Sequence, residues 1–407
     1  KPSGKYLSRR PSPPGTYGKP RSVKESGGRQ STWHWGEHDK PLSAVGFSIG
    51  RNILEENIVE IRNRRRQFFR IAGIGGAIFV LSAIKPLRRL AFADIRTYRG
   101  ISFLPPGYRA IRFGILGFVD QLRKNSSEVL KIDFFDSASL MKADEQVSAL
   151  RDGSIQFMFH GSTYITEEFP ILGIVELPGL GDQLYEHGER LAMESPLWKL
   201  INDELARDNL FMLSTGSGIM EPEYIWSGKT RIAGLADLQG KRCRVMSSGA
   251  SELLKNLGAT VVRIPSAETY LALQRGSVDC VVASVNTIVA RNLHESLRLC
   301  LKLPVTAVTV AIFFLKDAWE KMPTNEKAAF WEAGRWYDEN QAKTGYKKLT
   351  QDEDWPVVKK AGIEIVQPTA AEREIFIEKA RLAWGAWENQ VGQEVGRRAI
   401  DLALGRL

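Results

Sequence analysis

In this 407-residue chain, the residues whose types could do chemistry sit where short apolar runs end. Arg244 lies near the end of the run Lys241-Arg242-Cys243-Arg244-Val245-Met246. A guanidinium offers a planar fork that pairs bidentately with a carboxylate and stays charged when buried. A solvated or structurally paired arginine would occupy the same place, and spacing alone leaves both readings open. Arg242, two residues earlier, shares that face as a second cation nearer the strand's start, while Cys243 points the other way. His160, Ser162, Ser247, Ser248 and Asn286 follow similar runs, where imidazole, hydroxyl or amide groups either donate to an anion or hold a turn. Enzymatic signatures are missing from residues 94–407: there is no HExxH, no GxSxG, no P-loop and no Cys/His metal spacing there. His160, His187 and His294 have no obvious nucleophile partner, so catalysis on this scaffold has the least support.

The elements needed to position these residues alternate between strand and helix. Short strands are expected at 95–98, 129–134 and 155–159, with helices over 107–124 and 142–151 between them. The same rhythm returns with strands at 241–246, 260–264 and 278–283 and helices over 250–257 and 267–275. Alternation at this spacing predicts α/β architecture, with parallel sheets covered by helices. Two such units predict two lobes with a cleft between them, and ligands in such sheets sit beyond the carboxyl ends of the strands. A further strand is expected over 306–314, then long helices from Thr324 to about Thr350 and from Ala370 towards the end. Trp331, Trp336, Trp384 and Trp387 fall on these helices and are assigned to packing.

Upstream, Arg65-Arg66-Gln67-Phe68-Phe69-Arg70 precedes a glycine-rich apolar run, Ile71 to Ile84, and then Ala91-Phe92-Ala93. Paired arginines, two phenylalanines and a small-x-small site form the pattern of a twin-arginine export signal cleaved before Asp94. Fourteen residues at about 1.5 Å each fall short of a roughly 30 Å hydrocarbon core, so a spanning anchor is the weaker reading. Residues 61–93 are thus expected to be the signal, handled by the twin-arginine translocase, with a periplasmic product. Residues 1–60 contain no methionine and are rich in Pro, Gly, Ser and Arg over Pro2 to Gly36. They read either as an over-extended frame, with the start near Leu54 or Val59, or as a disordered extension.

The net charge of +9 belongs to this leader. Residues 1–93 hold 18 Lys+Arg against 6 Asp+Glu, leaving 38 against 41 for the remainder. A mature part near −3 gives no argument for nucleic acid. Its cysteines, Cys243, Cys280 and Cys300, form no close pair and no framework. Cys243 and Cys280 lie in two strand-like runs and are possible neighbours; small buried apolar residues are the favoured reading.

Four collinear segments then become recognisable. Asp237-Leu238-Gln239-Gly240-Lys241-Arg242-Cys243-Arg244-Val245 and Glu268-Thr269-Tyr270-Leu271-Ala272-Leu273-Gln274-Arg275-Gly276-Ser277-Val278-Asp279 resemble signature segments of the DctP-type solute receptors of TRAP transporters. Leu150-Arg151-Asp152-Gly153-Ser154-Ile155-Gln156 fits a third segment, and Glu168-Phe169-Pro170 through Leu180 fits a fourth more loosely. The resemblance spans residues 94–407. It implies a two-lobe periplasmic-binding-protein fold, type II-like, with two mainly parallel sheets, a central cleft and long C-terminal helices. Residues 94–216 and 305–345 would form lobe I, and residues 217–304 and 346–407 lobe II.

Functionally, the resemblance implies a receptor that closes on a small organic acid and delivers it to the membrane permease subunits of a TRAP transporter. Arg244 occupies the position of the family's carboxylate clamp. Glu221, Tyr224 and Trp226 fall where family members cross between lobes and line the cleft. No cofactor is implied, although some relatives bridge ligand and protein with a metal ion. The chain departs from the family pattern after Asp279: Ala283 stands where a polar asparagine is usual, and Asn286 is the candidate replacement. A second arginine near Gly218 is also missing. Both departures favour a ligand with one carboxylate and a less polar body. A receptor for an ABC importer or a sensor kinase remains the alternative, since it would share fold and clamp and differ in docking surface.

Overall fold

The computed structural model describes residues 96–126 and 130–407, all within one compact unit, Leu90–Leu407. The expected signal residues Arg65, Arg66, Phe68, Phe69, Ala91 and Ala93, the cleavage point and the extension 1–60 lie outside the described residues. Two mixed sheets carry the structure. The first has the order β2-β1-β3-β10-β4, built from β1 (Arg96–Ser102), β2 (Leu130–Phe135), β3 (Phe157–Gly161), β4 (Leu210–Ser214) and β10 (Val310–Leu315). The second has the order β11-β9-β5-β8-β6-β7. Its strands are β5 (Glu223–Ser227), β6 (Arg242–Val245), β7 (Thr260–Arg263), β8 (Cys280–Ala283), β9 (Leu299–Thr306) and β11 (Glu364–Val366).

Strands joined through helices pair in parallel: β1 with β2 and β3, and β6 with β7 and β8. The antiparallel pairings all involve β5 or β10, the strands that enter each sheet directly from a crossing segment. A short crossing leaves no length for the helical return that a parallel pair requires. Each sheet is therefore less parallel than the alternation of elements suggests.

Helix Arg109–Ser126 buries Ile111, Ile115, Phe118 and Leu122, the positions its periodicity marks. Phe118 meets Phe159 and Tyr337 edge-on, tying this helix to β3 and to helix Thr324–Asn340. Several expectations need correcting. The strand expected over 306–314 is two strands in different sheets: β9 ends at Thr306, Ala307–Thr309 cross, and β10 begins at Val310. Pro304 lies within β9, where the pairing with β5 slips register, so its missing N–H falls in an irregular part of the ladder. The helix expected from Thr324 to about Thr350 stays regular only to Asn340 and continues in wider π-type turns over Gln341–Asp354. The C-terminal helix breaks at Gly392, which has φ 95°, into Ala370–Val391 and Gln393–Leu404. On the first of these, Trp384 and Trp387 donate their indole N–H groups to the Pro178 and Pro170 carbonyls, both at 2.8 Å.

Cys243 and Cys280 face each other as register partners on β6 and β8, with Cα atoms 4.9 Å apart, and are joined as a disulfide. This overturns the reading of both as unpaired apolar residues; Cys300 alone is free, and it is buried. No helix among the described residues is long and apolar enough to cross a membrane.

Candidate functional site

Arg244 is the third residue of β6, a strand buried from Cys243 onward, and its side chain is only 2% exposed. Its Nε donates to the Ile264 carbonyl at 2.8 Å and its Nη1 to the Val282 carbonyl at 3.0 Å. These carbonyls, beyond β7 and on β8, fix the plane of the fork. Among the described residues no group accepts a hydrogen bond from Nη2, and no carboxylate forms an ion pair with the guanidinium. The nearby Glu223 carboxyl feels the charge of Arg244 without bonding to it, so the open Nη2 leaves a place for an anion's oxygen.

Beside Arg244 lies a cavity of about 40 Å³ between the sheets. Phe103, Leu104 and Tyr108 follow β1, Thr163 and Tyr164 follow β3, and Met246 follows β6, so the carboxyl ends of strands from both sheets converge there. Arg244 and Glu223 are the basic and acidic side chains of its lining. Glu223, 5% exposed, begins β5, and its Oε2 is buried without a hydrogen-bond partner among the described residues. Burial pushes this carboxyl up to about 7, outweighing the opposing pull of Arg244 and of the Ser284 N–H.

Bonds across the cleft hold it closed. The Tyr164 hydroxyl donates to Ser266 Oγ at 3.1 Å, and that of Tyr108 to Thr287 Oγ1 at 3.3 Å. Arg263 pairs with Glu167 and donates to the Thr163 carbonyl at 3.2 Å. Gly107 permits the approach, since a Cβ there would sit 2.8 Å from the Ala290 carbonyl oxygen. Behind the cleft, Met220 N–H donates to the Val308 carbonyl at 2.9 Å, joining the two crossing segments side by side. A larger groove of about 520 Å³ lies beyond Ser217–Ile219, among Glu186, Glu189, Arg335 and Lys343. It has acidic and basic walls and no converging strand ends, so the smaller interlobe cavity is the candidate site.

The model for bacterial extracellular solute-binding proteins, family 7 (DctP), matches residues 113–390, well over half of the chain. The chain belongs to this family. A solute-binding protein of Albidiferax ferrireducens is 27% identical over 232 residues, covering 52% of this chain and 62% of that relative, less than two thirds of its length. Among solved structures, a Bordetella pertussis extracytoplasmic solute receptor binding pyroglutamic acid aligns with a TM-score of 0.66 at 18% identity, covering 75% of this chain and 99% of that one. A sugar acid binding protein of Advenella mimigardefordensis in complex with galactonate aligns at 0.67 and 20% identity, covering 76% and 99%. At these identities the two alignments establish a shared fold.

Of the eight ligand-binding residues expected from the sequence of this solute-binding protein, Arg244 alone lines the cavity. His160 is fully buried, its ring nitrogens 3.0 Å from the Gly161 carbonyl and 2.9 Å from that of Ala143, and burial lowers its pKa. Ser162 accepts from Thr309 N–H, and Ser247 caps helix Ser248–Asn256 through Ala250 N–H. Glu221 accepts from Trp355 Nε1 at 2.7 Å and from the Tyr224 hydroxyl at 3.0 Å, tying β5 to the C-terminal segment. Trp226 donates to the Ala283 carbonyl at 2.8 Å inside the second sheet's core. The Asn286 amide donates to Thr350 and Asp354, away from the cleft. Arg242 is spent on Asp279, with Nη2 2.9 Å from Oδ1. Among the described residues no group of three or more His, Cys, Asp or Glu is placed to hold a metal ion.

Two residues were not anticipated, Glu223 in the cavity lining and Arg291 behind it. Glu223 is adjacent to Tyr224, and one residue along a strand reverses the face. Arg291 lies 5.4 Å over the Tyr108 ring, donates to Ser266 Oγ at 3.2 Å and keeps a buried, unpartnered Nε. The available signal for it was a cation just after helix Val285–Ala290.

Proposed function

We propose that this protein is an extracytoplasmic receptor that closes its two lobes on a small carboxylic acid and presents it to the membrane permease subunits of a TRAP transporter. The observation that carries this reading is Arg244: a buried guanidinium, fixed by two carbonyls, without an ion-pair partner among the described residues, at the meeting point of strand ends from both lobes. A carboxylate there gains a charge-assisted bond, and closure excludes the water that would weaken it. The acids named for the two aligned receptors, pyroglutamic acid and galactonate, are of this class. The Cys243–Cys280 disulfide supports an oxidising compartment, as export through a twin-arginine signal would provide.

The test is thermal unfolding of the purified protein against monocarboxylates, dicarboxylates, sugar acids and neutral sugars. A ligand at a hundredfold its dissociation constant adds about 2.7 kcal/mol. Stabilisation by an acid, lost in Arg244→Ala, is the expected result. Stabilisation by neutral sugars alone, or by acids equally well in the variant, would remove the clamp.

A further inference from the structure

The cavity has two unspent polar ends. Of its other polar side chains, Ser266 Oγ accepts from Tyr164 and Arg291, Thr287 Oγ1 accepts from Tyr108, and the Thr163 hydroxyl can serve as donor or acceptor. The groups of fixed sense that remain are the Nη2 of Arg244, a pure donor, and the Oε2 of Glu223, which is buried, has no hydrogen-bond partner among the described residues and belongs to the same lining. An unmade bond to a buried carboxyl oxygen is expensive, and a second copy of the same acceptor chemistry beside it makes matters worse. Where Glu223 is ionised, a dicarboxylate would satisfy Arg244 and set its other carboxylate against Glu223. An acid carrying an N–H satisfies both ends at once.

We propose that Glu223 is the second pole of the site: Arg244 takes the ligand's carboxylate, and Glu223 Oε2 accepts an N–H from the same molecule. The cargo is then a small acid bearing an amine or lactam nitrogen, not a dicarboxylate. The inference rests on the carboxylate-receptor reading and narrows it. The wall supports a compact ligand, because Phe103, Leu104, Met246 and Val308 give the space between the poles an apolar surface.

Matched pairs of probes test this in the full chain by calorimetry at pH 8, where Glu223 is mostly ionised. Pyroglutamate and its ring-oxygen lactone analogue differ only in the N–H. Proline and tetrahydrofuroate differ in the N–H and in the positive charge that the proline nitrogen carries at pH 8, so that pair reads the charged form of the contact. Malonate and succinate serve as dicarboxylates. The N–H member of at least one pair should bind roughly ten- to a hundredfold more tightly than its oxygen analogue, the range for a hydrogen bond to a charged group. In Glu223→Gln, whose amide can turn either oxygen or NH₂ to the ligand, that discrimination should shrink to a few-fold. Acids that bind equally with and without the N–H, or dicarboxylates that bind best, would overturn the second pole and leave the receptor reading standing. Failure of every acid would overturn both. Discrimination unchanged in a folded Glu223→Gln would also overturn it, by placing the donor's partner elsewhere.

Discussion

The Tyr164 hydroxyl and Ser266 Oγ lie 3.1 Å apart across the cleft, and Ser266 N–H returns a bond to the same hydroxyl at 3.2 Å. Tyr164 follows β3 in the first sheet and Ser266 follows β7 in the second, so the pair exists only while the lobes are together. A neutral hydrogen bond contributes about 1 kcal/mol net. Tyr164→Phe keeps the ring against Phe103 and His160 and removes the reciprocal bonds. It should therefore weaken ligand binding by roughly five- to thirtyfold, chiefly through faster dissociation, because closed-state bonds act after encounter. Stopped-flow dissociation is the direct reading; an unchanged off-rate would mean that closure does not depend on this pair.

The disulfide sits beside the clamp, since Cys243 precedes Arg244 on β6 and Cys280 lies on β8, which carries the Val282 carbonyl. Closing a loop over a sequence separation of 37 limits the unfolded chain by about 4 kcal/mol in the chain-entropy picture. A Cys243→Ala/Cys280→Ala double variant should melt several degrees lower than the parent. Equal melting temperatures under non-reducing conditions would show that the bridge contributes nothing to stability.

Stability should also depend on pH in the neutral range. Glu176 is 1% exposed; its Oε2 accepts from Ser248 N–H at 3.0 Å, while its Oε1 has no partner among the described residues. Burial drives its carboxyl from 4.5 to about 8. The native state therefore holds a proton that the unfolded chain releases, and stability falls as pH rises. The contribution is complete below about pH 4.5 and lost by about pH 8, and Glu223, raised to about 7, acts in the same direction. Without ligand, the protein should lose up to a few kcal/mol between pH 5 and pH 8, and Glu176→Gln should flatten that slope. Urea melts at four pH values would decide it, and a slope of the opposite sign would show that Glu176 is solvated or paired.

The same physics explains what could be read from the sequence. Helix Arg109–Ser126 and the units around β6 to β8 were legible because amphipathic periods and strand-helix spacing reflect burial on one side. β5 is buried along its whole length, Glu223 to Ser227, so it shows no alternation from which to read a face. That is why Tyr224 and Trp226 were favoured over Glu223. His160, Ser247 and Asn286 lie outside the cavity lining for another reason. Strand ends near a cleft also need polar groups to satisfy local backbone and helix ends, and the partners that consume them, Ala143, Ala250 and Asp354, come from elsewhere in the chain or from a local cap that spacing does not reveal. Arg244 was open on spacing alone, since Arg242 on the same strand is a paired structural cation, and it was singled out by its place in the segment that resembles the DctP family.

The clamp itself can be separated from its charge. If Arg244 acted only as a positive point, Lys would replace it with little loss. The structure argues otherwise, because Nε and Nη1 are held by the Ile264 and Val282 carbonyls and this leaves Nη2 aimed by a rigid plane. A lysine has one nitrogen on a flexible stem; it can satisfy those carbonyls or the ligand, not all three in the same geometry. Arg244→Lys should therefore bind the best acid ten- to a hundredfold more weakly than the parent, while Arg244→Ala should abolish measurable binding. Near-equal affinities for Lys and Arg would reduce the clamp to simple electrostatics, and the difference should persist at high salt because the pair is buried from screening ions.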